Sequence, residues 1–120
     1  MSDSVLFVLT SHAQLGDTGQ KTGTWLEELA AAYYVLVDAG YDVALASVRG
    51  GAAPLDPASL DDPWLTDAGR RFQADAKASG ALATTARLAD VSPDGFDAIY
   101  FVGGAGAAWD FPVDADVRRL

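Results

Sequence analysis

The 120-residue sequence contains no cysteine and a single histidine, His12. Without cysteine, the chain carries no disulfide framework, no thiolate metal site and no cysteine nucleophile of its own. One histidine also excludes the usual multi-histidine zinc sites. Any chemistry of this chain must therefore depend on other side chains or on its backbone.

Basic side chains are scarce as well. The sequence has 8 lysines and arginines against 17 aspartates and glutamates, a net charge of −9. Such a surface repels nucleic acids and anionic membranes. The apolar runs are much shorter than the roughly 18 residues that a membrane span needs, and the N-terminus lacks the features of a signal peptide. We therefore expect a soluble cytoplasmic protein with neither nucleic acid nor a membrane as partner.

Half of the residues belong to the hydrophobic set, enough to bury the core of one small domain over residues 1–120. A continuous apolar run predicts a strand near 5–10 that is buried on both faces of a parallel sheet. Apolar residues at helical spacing then predict a helix that ends at Gly40. Thr24 and Glu27 have the spacing of a capping box, so we expect the helix to begin at Thr24.

The remaining elements follow the same alternation. A second strand at 42–47 completes a right-handed parallel β-α-β unit. An irregular loop, a weaker helix, a third strand and the first turns of another helix follow at 49–63, 66–79, 98–102 and 114–120. We expect Gly69 to interrupt the weaker helix and Gly80 to stop it. This order predicts a three-layer α/β sandwich with the first strand central and the third at an apolar edge.

The third strand runs into a glycine-rich turn at 103–106, where ligands bind in sheets of this kind. Gly104 and Gly106 resemble part of a dinucleotide fingerprint, but Trp109 occupies the place of its third glycine. A second interpretation is a tight turn whose backbone N–H groups stabilise an oxyanion. A third is that the glycines only allow a sharp turn between strand and helix.

Glu27 and Glu28 are the only glutamates in the sequence. On a helical wheel, Glu27 shares the solvated side with Tyr34 and Asp38. Glu28 lies instead on an apolar flank formed by Trp25, Ala32 and Val35. A carboxylate among such neighbours is suited to accept or share a proton if it is desolvated. The alternative is a surface acid stabilised by the helix dipole.

Other candidate residues favour structural roles. His12 follows Ser11, but adjacent residues rarely present both groups to one substrate, and the sequence contains no G-x-S-x-G elbow, so we expect a loop histidine with local hydrogen bonds. Two aspartate groups could bind a hard cation but more simply form an acidic surface: Asp61 and Asp62, and Asp110, Asp114 and Asp116. We expect the tryptophans to be packing residues.

Five segments in series are distinctive: VLFVLTSH (5–12), DTGQKTGTWLEELA (17–30), AGYDVALAS (39–47), GGAAPLDPAS (50–59) and FDAIYFVGGAGAAWD (96–110). Together they cover essentially the whole chain, which resembles the ThiJ/PfpI superfamily. The branch it resembles most contains chaperone-like glutathione-independent glyoxalases (glyoxalase III) and protein deglycases. The resemblance implies a flavodoxin-like α/β fold related to class I glutamine amidotransferases.

The resemblance also implies a site. Members combine a cysteine on a strand-to-helix elbow with a glutamate of the first helix and the backbone N–H groups of the glycine turn. By resemblance, the glutamate is Glu28 and the turn is formed by Gly103 and Gly104. The elbow would follow residue 120, so we expect the chain to lack the C-terminal half of the domain. Four residues depart from the usual pattern: Ala32, Val48, Val102 and Ala105, the last in place of a histidine.

These implications lead to two functional expectations. The first is a glyoxalase III or deglycase-like activity on small dicarbonyls such as methylglyoxal, with no cofactor and no metal, in which the chain is inactive alone. The second is a non-catalytic, chaperone-like or interaction module of the same fold. In either case we expect a homodimer or a complementary C-terminal polypeptide, because the third strand is left at an edge.

Overall fold

The computed structural model describes residues 3–120, which form a four-stranded parallel sheet in the order β3-β2-β1-β4. The strands are β1 (Ser4–Leu9), β2 (Asp42–Ser47), β3 (Ala86–Arg87) and β4 (Ala98–Phe101). The three predicted strands are confirmed, and β1 is central as expected. The sequence did not predict β3, because two exposed residues carry no periodic signal.

The predicted burial of β1 on both faces is confirmed. Val5, Phe7 and Leu9 belong to a core cluster on one face, while Leu6 and Val8 belong to a second cluster on the other. The alternation follows from the period of two along a strand. Layers of helix and turn on both sides of the sheet produce the α/β sandwich that the pattern predicts.

The helices are α1 (Leu26–Asp38), α2 (Asp67–Ala74), α3 (Ala76–Ala83), α4 (Ala107–Asp110) and α5 (Ala115–Arg119). Gly40 follows α1 with φ +93°, which confirms the predicted helix end. Three short 3₁₀ turns lie at 57–60, 88–90 and 93–95. None of these helices, within residues 3–120, has the length and apolar character needed to cross a bilayer.

The capping box predicted at Thr24 is wrong. The helix is preceded by Trp25, while Thr24 is extended: its N–H donates to Pro54 O (2.9 Å) and its carbonyl accepts from Asp56 N–H (2.8 Å). This pairing turns the Thr24 side chain into the protein, where Oγ1 is buried without a hydrogen-bond partner among residues 3–120. The tertiary contact therefore overrides the local signal.

Two distant residues replace the predicted capping box. The Oγ of Ser59, 33 residues away, accepts a hydrogen bond from the Leu26 N–H at 3.1 Å. Glu27 accepts a hydrogen bond from the hydroxyl of Thr66 instead of bonding back to its own helix. Thr66 in turn caps α2 by accepting from the Gly69 N–H. The start of α1 is thus tied to the loop and helix that follow β2.

The weaker helix predicted at 66–79 is divided at a different residue. The break falls at Asp75, whose side chain accepts from the N–H groups of Lys77 and Ala78 and so begins α3. Gly69 is buried inside α2, where a methyl group would lie 3.0 Å from Leu65 Cδ1. Gly80 has open space around it and α3 continues past it to Ala83. The glycines are therefore tolerated within the helices and do not end them.

The expected solvated arc of Glu27, Tyr34 and Asp38 is also corrected. Tyr34 is only 5% exposed, and its hydroxyl donates to Asp75 at 2.9 Å. The Arg71 guanidinium lies 3.8 Å above the Tyr34 ring and pairs with Asp38. Burial, with the hydrogen bond and negative charge of Asp75, raises the pKa of Tyr34 to about 12. Packing of α2 against α1, with Asp75 at the end of α2, accounts for the difference.

Candidate active site

The loops after β1, β2 and β4 meet at the carboxyl ends of the strands. Asp110 accepts from Thr10 Oγ1 and from the Ser11 N–H, each at 2.8 Å. The Arg49 N–H donates to Ser11 Oγ at 2.8 Å, which ties the β2 loop to the same point. The three loops therefore converge at this end of the sheet, as expected for the switch point of a parallel sheet.

The glycine turn packs directly against the chain that leads into α1. The Gly103 carbonyl accepts a hydrogen bond from the Trp25 N–H at 3.0 Å. At Gly104, where φ is +147°, a methyl group would lie 2.7 Å from Trp25 N and 2.9 Å from Thr24 Cα. At Gly106 it would lie 3.1 Å from Gly23 Cα. Only glycine allows this backbone approach, so the turn has a structural reason for its composition.

Glu28 lies against this turn. A methyl group on Gly103 would contact the Glu28 carboxyl group, at 2.9 Å from Cδ and 3.0 Å from Oε2. The structure thus places together the glutamate and the glycine that the resemblance pairs. Within residues 3–120, the backbone N–H groups of Gly103 and Gly104 have no protein acceptor. A carboxylate and free donors therefore lie at one point beyond β4.

The exposure of Glu28 favours the second of the two interpretations, a surface acid. The residue is exposed, and Val35 on the same flank of α1 is 70% exposed. This apolar flank faces outward beside the edge of the sheet. Glu28 therefore lies beside the glycine turn without the enclosure that would desolvate its carboxylate.

His12 has local partners, as expected for a loop histidine. Its ring stacks on Trp109 with the ring centroids 4.9 Å apart, and its Nε2 lies 2.5 Å from the Gln14 carbonyl oxygen. The Ser11 hydroxyl accepts from the backbone of Arg49. Ser11 and His12 therefore have separate hydrogen-bond partners among residues 3–120. Trp109, the residue that interrupts the dinucleotide pattern, is a packing residue of the β1 loop.

The aspartates near the C-terminus have individual structural partners and do not form a simple acidic surface. Asp114 caps α5 by accepting from the N–H groups of Asp116 and Val117. Asp116 pairs with Arg119. In the described part of the chain, no group of three potential ligands is arranged to hold a metal ion. Sequence reasoning missed the role of Asp110, because its partner Thr10 lies 100 residues away.

Comparison with known proteins agrees with this fold. Over 98% of its length, the chain matches the crystal structure of the 24 kDa Rapid Encystment Protein of Francisella tularensis (36% identity, TM-score 0.90). It also matches glyoxalase III of Candida albicans (98% of this chain, 25% identity, TM-score 0.85). A protein of Schizosaccharomyces pombe that is named as a glutathione-independent glyoxalase is 32% identical over 111 residues, 90% of this chain. No family model matches the sequence.

The sheet and these likenesses define an α/β protein of the flavodoxin-like class. The chain belongs to the ThiJ/PfpI superfamily, in the branch that contains glyoxalase III. It spans about half the length of the proteins it matches: 51% of the Francisella protein, 50% of the Candida enzyme and 44% of the Schizosaccharomyces protein.

Proposed function

We propose that this chain supplies one part of a glyoxalase III-like active site that acts on small dicarbonyls such as methylglyoxal. The observation that carries the proposal is the contact between the Glu28 carboxyl group and Gly103 at the carboxyl end of β4. Two of the similar proteins carry glyoxalase names, which supports the same chemistry. Deglycation of protein adducts would use the same groups on a larger substrate.

The reaction assigns a task to each group. Conversion of methylglyoxal into lactate adds one water and moves one hydrogen from the aldehyde carbon to its neighbour. When a thiolate adds to the aldehyde carbon, the C=O electron pair moves to oxygen, where the N–H groups of Gly103 and Gly104 would stabilise it. Glu28 would carry the proton between the two carbons, which leaves a thioester. Water would then cleave the carbon–sulfur bond of that thioester, so that lactate is released and the thiolate is restored. The thiolate must come from another polypeptide segment, because these 120 residues contain no cysteine.

The test is lactate formation from methylglyoxal. We expect no lactate from the chain alone, and lactate when it is combined with a polypeptide that supplies the cysteine-bearing part of the site. Glu28→Gln should abolish that activity, whereas the neighbouring Glu27→Gln, whose carboxylate bonds to Thr66, should retain it. Lactate from the chain alone, or full activity of Glu28→Gln, would contradict the proposal.

A second candidate is a non-catalytic, chaperone-like module. It is favoured by apolar side chains exposed on β4 and α1, including Val35 and Phe101, and by Ala105 in place of the histidine usual in the family. Such a module should suppress the aggregation of a heat-denatured client protein at equimolar concentration. Glu28→Gln distinguishes the two candidates, because it should abolish lactate formation but leave the suppression of aggregation unchanged.

A further inference from the structure

Trp64 lies on the surface beside the start of α1. Its side chain is 56% exposed, in contrast to the packing role that the sequence predicts. The ring packs edge-to-face on Trp25, with the two ring centroids 6.1 Å apart and an angle of 70° between the rings. The Trp25 N–H donates to the Gly103 carbonyl at 3.0 Å, so the pair lies next to the glycine turn. Because tryptophan is highly buried on average, an exposed ring at this place is a candidate for ligand recognition.

The residues around Trp64 hold its ring in this position. The Asp61 carbonyl accepts from the N–H groups of Trp64 and Leu65, at 2.9 and 3.0 Å, which closes a turn. Leu65 packs against the core, and the hydroxyl of Thr66 donates to Glu27. The turn is thus fixed to α1 on one side of the exposed ring and closed on the other. Such a ring loses little conformational freedom when it binds a ligand.

The charges around this ring favour a cation. Asp61 and Asp62 lie in the same turn and are both exposed. Glu28, also exposed, lies three residues after Trp25 on α1. Arg70 pairs with Asp62, whereas Asp61 and Glu28 pair with no basic side chain among residues 3–120. The face of a tryptophan ring attracts cations, so the ring and an unpaired carboxylate offer one cationic ligand two favourable contacts.

Another part of the chain shows which cation fits such a pair of groups. The Arg71 guanidinium lies 3.8 Å above the Tyr34 ring and donates to the two oxygens of Asp38 at 2.8 and 2.9 Å. A planar guanidinium can stack on a ring and bind a carboxylate at the same time, whereas an ammonium group has no planar face to stack. Trp64 and Asp61 present the same two kinds of group at the surface. A guanidinium group therefore suits them better than an ammonium group.

We infer that Trp64, Trp25 and Asp61 form a subsite that binds the arginine side chain of a peptide. Free arginine carries a carboxylate of its own, which the net charge of −9 and the nearby Glu28 would repel. An arginine flanked by peptide bonds brings the guanidinium group without that carboxylate. The inference involves no dicarbonyl chemistry, so it is independent of the proposed function.

The test titrates the full chain with a short peptide, one arginine between two glycines and blocked at both ends, and follows the indole N–H signals by NMR. The sequence contains three tryptophans, so each indole signal reports on one ring. We expect saturable shifts for Trp64 and Trp25 but not for Trp109, which stacks on His12. Trp64→Leu, followed through the Trp25 signal, should weaken binding at least about threefold. Free arginine, and peptides with lysine or leucine in place of arginine, should bind more weakly.

Asp61→Asn should also weaken binding and reduce its dependence on salt. Asp94→Asn is the matched control, because it removes the same charge from the 3₁₀ turn at 93–95, which precedes β4 and lies at the other end of that strand from the glycine turn. Circular dichroism would verify that the variants keep the fold. The inference is overturned if no signal shifts saturably, if Trp64→Leu binds as tightly as the parent, or if any of the three replacement ligands binds as tightly as the arginine peptide. Equal weakening by Asp61→Asn and Asp94→Asn would likewise contradict it.

Discussion

Gly103 lies against the carboxyl group of Glu28, and the space for a methyl group at Gly103 is filled by that carboxylate. The two residues are 75 positions apart in the sequence: Glu28 lies in α1, and Gly103 lies in the turn that follows β4. The carboxylate can occupy this position only because Gly103 has no side chain. The end of a glutamate side chain rotates at low cost, so a methyl group at Gly103 would displace the carboxylate and not the backbone.

Gly103→Ala should move the Glu28 carboxylate while preserving the fold. We expect a change in the free energy of unfolding of less than about 1 kcal/mol, because only a flexible side chain must shift. In the reconstituted lactate assay the variant should lose activity as Glu28→Gln does. Gly80→Ala is the control, because Gly80 lies in α3 with open space around it. In this variant the free energy of unfolding, measured with urea, should rise by about 0.5–1 kcal/mol.

Gly104→Ala should instead damage the fold itself. A methyl group there would meet backbone atoms, with Trp25 N at 2.7 Å, and φ is +147°. We expect a loss of at least about 2 kcal/mol in urea unfolding, because neither backbone can move without breaking the turn. Equal stability of the Gly103 and Gly104 variants would contradict this account of the turn.

The start of α1 offers a test of which residue replaces the capping box. Ser59→Ala should cost about 1–3 kcal/mol, since the Leu26 N–H would be buried without an acceptor. Thr24→Val should be neutral or stabilising, because the Thr24 hydroxyl is buried without a partner among the described residues. A working capping box would give the opposite order, so paired chemical denaturation of the two variants decides between them.

Alkaline pH should destabilise the protein through Tyr34. Its pKa is raised from 10.0 to about 12 by burial first and then by Asp75. Between these values the unfolded chain releases the phenolic proton while the folded chain keeps it. The stabilising contribution is therefore complete below pH 10 and lost as the pH rises towards 12. The free energy of unfolding, measured with urea between pH 10 and 12, should fall less steeply with pH for Tyr34→Phe than for Tyr41→Phe.

Asp110 should hold the β1 loop to α4. Asp110→Ala removes the acceptor of the Thr10 hydroxyl and the Ser11 N–H, and we expect a loss of about 1–3 kcal/mol. Asp110→Asn keeps one acceptor oxygen and should lose less. Limited proteolysis should cut the Ala variant within 10–23 faster than the parent. Unchanged cleavage would contradict this role and would show that other contacts, such as those of Arg49 with Ser11 and of His12 with Trp109, hold the loop.

The sequence alone predicts the three longer strands, the C-terminal end of α1 and the glycine turn after β4. These features depend on local properties: apolar runs buried on both faces, helical spacing of apolar residues, and glycines where a chain must turn. The family resemblance pairs Glu28 with Gly103, whereas no local pattern in the sequence places their atoms in contact.

The other features depend on contacts between residues that are distant in the sequence. Ser59 caps α1 from 33 residues away, Asp110 binds Thr10 across 100 residues, and Tyr34 is buried by helices that lie later in the chain. The exposure of Glu28 likewise follows from the position of β4 at the edge of the sheet formed by residues 3–120. Hydrogen bonding and desolvation are set by whichever groups the fold brings into contact, and a local pattern contains no information about those groups.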